Sequence, residues 1–132
     1  MSRSGKTAVN RARQTVGSRF RPQGRSREFG LDCIGLAAVA YGLPATAVPC
    51  DYRLRGEYLC ILLEGLDIHF RLIPTARAKP GDMLLCAIAP DQHHLVIKTG
   101  DGFIHAHARH GVIETPGDPP WPLLGAFRRR TR

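Results

Sequence analysis

The hydrophobic period changes once along this chain, near residue 67, and that change narrows the folds open to it. Before it, apolar residues recur at helical spacing. Residues 5–16, "GKTAVNRARQTV", predict a first helix with Val9 and Val16 on one side. A loop rich in Gly, Pro and Arg follows, with turn residues at Gly17, Pro22 and Gly24. A second helix is predicted from Asp32 to Tyr41, capped by Asp32 and stopped by Gly42 with Pro44 beyond. Leu54 to Leu66 predicts a third, apolar at 58, 59, 61, 62, 63 and 66.

After the change the pattern alternates. "DIHFRLI" (67–73) reads as an edge strand, and "KPGDMLLCAI" sets a Pro-Gly turn before a buried strand at 82–88. Strands 93–98 and 103–107 flank a turn at Thr99–Gly102, and 111–115 and 123–129 follow, separated by "PGDPPWP". Helices first and an antiparallel meander second make an α+β chain, its N-terminal helices packed on one face of a C-terminal sheet. A chain of 132 residues suits one domain, 1–132.

Cys33 stands where the polar "GLD" gives way to the small, apolar run "CIGLAAVAYG". The first turn of a helix carries unpaired N–H groups and the positive end of the dipole, which favour a thiolate. Cysteine catalysis also needs a base, a group to orient that base, and donors for the oxyanion. His94 opens an apolar strand, and His105 lies on the next strand across a short turn, near cross-strand register. The arrangement suggests a Cys–His–His triad: Cys33 nucleophile, His94 general base, His105 orienting the His94 ring. Cys50, Cys60 and Cys86 read as structural, and no C-x-x-C pair is present.

At these residues the chain resembles the NlpC family of cell-wall cysteine peptidases. The likeness is carried by "VGSRFR", "GLDCIGL", "KPGDMLL", "HLVI" and "GFIHA", in that order. "DCIGL" and the ending "PPWPLLGAFRR" look most like short members found with phage tails and gene transfer agents. The resemblance implies a papain-like fold and hydrolysis of a peptidoglycan stem-peptide amide, typically between D-glutamate and a diamino acid. It implies no metal and no cofactor. It also implies peptidoglycan stem peptides as substrate, with tail-like or transfer-particle proteins as partners. Phe20 departs from the family, which usually has an oxyanion-stabilising tyrosine there. Gln23, in the same loop, is a candidate to supply an amide N–H instead. Arg19 and Arg21 are candidates for substrate carboxylates, and Asp32, first an N-cap, completes the candidate oxyanion and substrate-binding set.

Other readings stand beside this one. His105 and His107 share a strand face and, with His93, His94 and His110, allow a zinc alternative. His93 is expected to point away from His94, as a surface or supporting residue, and His107 and His110 to edge the groove or face solvent. Trp121 reads more readily as a core plug than as a substrate platform. The net charge of +8 resides in the ends: residues 1–28 carry eight Lys/Arg against Glu28, and 128–132 carry four Arg, leaving the middle near −3. These basic ends, about 1–15 and 128–132, are candidates for flexible extensions. They favour polyanions, but no aromatic interleaving supports nucleic acid. No apolar run spans a membrane, and the N-terminus lacks a signal peptide's apolar core. The expectation is cytoplasmic synthesis, then incorporation in a phage-like particle or release by lysis. A catalytically silent tail-tip component that binds wall or partner is the alternative function.

Overall fold

A computed structural model describes residues 3–43, 58–90 and 92–130. The elements run α1 (Arg3–Gln14), β1 (Arg25–Ser26), β2 (Gly30–Leu31), α2 (Cys33–Tyr41) and α3 (Tyr58–His69), then β3 (Phe70–Ile73), β4 (Met83–Ala89), β5 (Gln92–Lys98), β6 (Gly102–His107), β7 (Gly111–Pro116) and β8 (Leu123–Arg129). Cys50, Pro44, residues 54–57 and the side chain of Cys60 lie outside what is described.

The architecture is α+β. One six-stranded antiparallel sheet has the order β3-β8-β4-β5-β6-β7. This corrects the expected meander, because β8 returns across the sheet to lie between β3 and β4. β4 is buried along its first four residues and takes a ladder from β5 on one side and β8 on the other. A short edge strand such as β3 could not cover its length.

Side chains alternate across the sheet. One face carries Met83, Leu85, Leu95, Ile97, Ile104 and Val112, packed with α1 and α2. The other carries Leu84, Cys86, Val96, Phe103 and Ala126, partly covered by Ala78 and Trp121. α2 is buried almost all round, which its small residues permit: Gly35, Ala37, Ala38 and Ala40 let neighbours approach closely. Its cap residues match expectation, with Asp32 at the start and Gly42, at φ 66°, at the end. Tyr41 Oη donates to the Gly81 carbonyl at 2.9 Å and ties the helix to the start of β4.

The ends belong to the domain as far as they are described. α1 buries Ala8, Val9 and Ala12 in the core. Val16 is not on that side as expected but 45% exposed. The helix has already closed, Thr15 bonding back to the Ala12 carbonyl, and Gly17 turns the chain at φ 97°. At the other end, Arg128 reaches Asp82 through two bonds of 3.0 and 2.8 Å. Arg129 donates to the His69 carbonyl at 3.1 Å, and Arg130 to that of Asp67 at 3.0 Å. These two arginines satisfy the last carbonyls of α3. Residues 67–69 are therefore helical rather than the first part of a strand.

Candidate active site

The site begins with how α2 is started. Asp32 accepts from the Gly35 N–H at 2.8 Å, from the Gln23 N–H at 2.7 Å and from Arg25 Nη1 at 3.1 Å. One carboxylate thus caps the helix and pins the preceding loop to it. Gly24 and Gly35 complete the join, since a Cβ on Gly35 would overlap the Gly24 carbonyl oxygen. This fixes Cys33 as the first helical residue, 2% exposed.

The facing wall comes from the sheet. β5 and β6 pair only through Ile97↔Ile104 and Lys98↔Phe103, so towards His94 their edges are unpaired. His94 and His105 are not opposite in this register but diagonal, two residues apart, and long side chains still meet at that offset. His94 Nε2 lies 3.0 Å from His105 Nδ1, with the rings edge to face and 5.2 Å between centroids. Both imidazoles project from the face away from the helices, on the side of Cys86, Val96 and Phe103. Cys33 lies on the helix side. All three nevertheless line one cavity of about 230 Å³, together with Phe20, His93 and Trp121. The unpaired stretch between β5 and β6 makes this meeting across the sheet possible.

The electrostatics reverse one expectation. Burial, with the Asp32 carboxylate alongside, pushes the Cys33 thiol up to about 12 rather than down. The N–H groups of Leu95, Cys33 and Ile34 act the other way but are outweighed, and the Leu95 contact sets the sulfur against β5 next to His94. Burial, then the neighbouring His105 and His107, lowers His94 to about 4. Burial and His107 lower His105 to about 4 as well. At neutral pH the resting site holds a thiol and two neutral imidazoles. The carboxyl of Asp32 is raised, chiefly by burial.

The remaining candidates divide. Phe20 lines the cavity. Gln23 stands outside its lining, exposed in a turn at φ 60°, with its backbone N–H committed to Asp32. Arg19 and Arg21 are also exposed and outside the lining, while their backbones hold Leu31 at 3.0 and 3.2 Å. His93 is buried, not a surface residue, and lines the cavity. Trp121 packs edge to face on His94 and on His105, 5.7 Å from each, as well as near Phe103. It therefore belongs to the site as much as to the core. His107 stacks on His110 at 4.6 Å, and its Nδ1 accepts the N–H groups of Arg109 and His110. Among the described residues no group of three or more His, Cys, Asp or Glu is arranged to hold a metal. Cys86 is buried, its thiol pushed up to about 12.

No protein-family model and no curated protein sequence matches this chain. Solved structures do. NlpC1 from Trichomonas vaginalis is similar at 21% identity and TM-score 0.72, over 100% of this chain and 46% of that one. The NlpC/P60 domain of the peptidoglycan hydrolase SagA aligns at 23% identity and TM-score 0.60, over 85% of this chain and 88% of that domain. An NlpC/P60 family protein from Bacillus cereus aligns at 21% and 0.69, over 94% and 39%. This chain thus spans less than half the length of two of these proteins. What the three likenesses give is the fold, the papain-like α+β architecture of NlpC/P60 domains.

Proposed function

We propose that this protein is a cysteine peptidase or amidase that cleaves a peptidoglycan stem-peptide amide. The observation that carries the reading is the His94–His105 contact of 3.0 Å in the same cavity as the helix-starting Cys33. That the NlpC/P60 domain of the peptidoglycan hydrolase SagA has this fold lends support.

In this mechanism the proton between the imidazoles is placed on His94 Nε2 and donated to His105 Nδ1, the tautomer that the reaction requires, which leaves His94 Nδ1 as the accepting atom. Because thiol and imidazole both rest neutral, the Cys33 proton passes to His94 Nδ1 as the S–C bond forms, rather than beforehand. The Cys33 backbone N–H stabilises the oxyanion at the head of α2. Collapse expels the amine, which takes the proton from His94, and leaves a thioester on Cys33. Water, deprotonated by His94, attacks the thioester carbonyl; the C–S bond breaks, the acid leaves, and His94 returns the proton to the Cys33 sulfur. His105 acts as a positioning residue, holding the His94 ring and taking up part of its developing charge.

The short phage-tail and gene-transfer members that "DCIGL" resembles support delivery in a tail-like particle. Digestion of purified peptidoglycan under reducing conditions tests the reading. Release of stem-peptide fragments by the wild type, lost in Cys33→Ala and His94→Ala, is the expected result. If no fragments appear from any of several wall types, the silent tail-component role replaces it.

A further inference from the structure

Three arginines that the mechanism leaves idle gather beside the cavity. Phe20 bridges to Leu31, while the Arg19 carbonyl accepts the Leu31 N–H and the Arg21 N–H donates to the Leu31 carbonyl. Phe20 turns into the cavity lining, and Arg19 and Arg21 turn together away from it. Both stems lie over Gly30, where a Cβ would come within 2.6 Å of Arg21 Cβ and 3.1 Å of Arg19 Cγ. Gly30 also holds φ at 126°, which only a residue without a side chain adopts readily. The loop is thus built to seat two guanidinium groups side by side.

The turn after β6 adds the third. Ala108 lines the cavity, and exposed Arg109 follows it, its backbone N–H donated to His107 Nδ1. Two residues on, Gly111 lies against the Ser18 carbonyl and the Arg19 Cα, and the Val112 N–H donates to that carbonyl at 2.8 Å. The two loops are therefore stitched together at the arginines.

The protein supplies these cations with little counter-charge. Among the described residues no ion pair involves Arg19, Arg21 or Arg109, while Asp32 holds Arg25 and Glu114 holds Arg13. Glu28 is the one acid in residues 17–31, and exposed Arg27 stands beside it. Like charges fixed close together repel one another until an anion joins them. Spaced guanidinium groups call for an anion that repeats, and each planar fork fits a phosphate through paired hydrogen bonds. A stem peptide brings isolated carboxylates, whereas a phosphodiester polymer brings a charge at every repeat. Nucleic acid fits less well: among the described residues of the 17–31 loop Phe29 is the exposed aromatic, and no helix is there to enter a groove.

We infer that Arg19, Arg21 and Arg109 form an anchoring surface, outside the catalytic cavity, for a phosphodiester polymer of the cell wall. The placement of that polymer in the wall rests on the peptidase reading above; the binding itself does not.

The test measures binding of poly(glycerol phosphate) to full-length protein by calorimetry over a series of salt concentrations. Wild-type protein is expected to bind, more weakly as salt rises. Replacing all three arginines by Gln should weaken binding at least about tenfold and flatten the slope of log Kd against log salt by about two. Replacement by Lys should restore part of the affinity. Arg71, Arg77 and Lys79, exposed elsewhere on the molecule, provide a control of equal charge, and their replacement by Gln should leave Kd within about twofold. Equal losses in both triple variants would reduce the effect to net charge and overturn the inference. Equal binding of poly-L-glutamate of matched length, or tighter binding of single- or double-stranded DNA, overturns it too. Polymer binding by a protein that releases no stem-peptide fragments removes the proposed cleavage and keeps the anchor. Fragment release without polymer binding does the reverse. Thermal melts of each variant check that the fold is intact.

Discussion

Trp121 is the side chain whose removal tests the imidazole pair most directly. Burial is the largest cause of the low pKa of both His94, about 4, and His105. The indole covers both rings. In the proposed mechanism His94 must be neutral to accept the thiol proton, so activity is expected above its folded pKa and should fall as pH drops through it. For the wild type the acid limb of kcat/KM should therefore lie near pH 4. In Trp121→Ala, water reaches the pair and the limb should move up towards the ordinary histidine value of ~6.5. Trp121→Phe should move it less. A pH–rate profile decides, and an unmoved limb in Trp121→Ala would show that other groups bury the pair. Two rigid prolines beside this residue suggested a core plug. Its reach to the imidazoles depends on β8 crossing the sheet, which local pattern does not encode.

At the scale of elements, the site depends on one helix start fitted against one loop. Gly35→Ala should force the Gly24 carbonyl away and release Gln23 from Asp32, shifting Cys33. We expect turnover to fall at least about tenfold with a lowered melting temperature. Gly65→Ala, in α3 with nothing within 4 Å of the added carbon, serves as control and should be neutral or gain up to ~1 kcal/mol. Wild-type turnover in Gly35→Ala would mean that the loop does not set the nucleophile. Much at this scale was legible in sequence. The limits of α2 follow from Asp32 and Gly42, and β8 from the alternation of "LLGAFRR", because caps and periods are local signals. The end of α3 was not, because the groups that satisfy its carbonyls, Arg129 and Arg130, lie 60 residues or more away along the chain. Cys33, His94 and His105 were likewise legible by type and order. The buried position of His93 was not, because alternation turned it from His94 without showing that the cavity spans both faces of the sheet.

For the whole molecule, the bond between Arg128 and Asp82 joins the last strand to the start of β4. Asp82 is buried, with 6% of its side chain exposed against 27% for Arg128. Arg128→Ala would strand that carboxylate with only the Lys79 N–H. Denaturant unfolding should register a loss of about 2 kcal/mol, and Arg128→Lys should recover only part, lacking the two-pronged geometry. A loss under ~0.5 kcal/mol would mean the pair is no more than a surface contact.

The position of β8 has a consequence in time. It follows the other five strands of its sheet along the chain, yet it fills an interior place among them, and Trp121 comes only just ahead of it. A nascent chain that ends before residue 121 has β3 and β4 with no strand between them and no indole over its imidazoles. The candidate site, built in this order, stays unfinished until β8 has emerged, so on the proposed function a chain still being made has no complete site with which to cut.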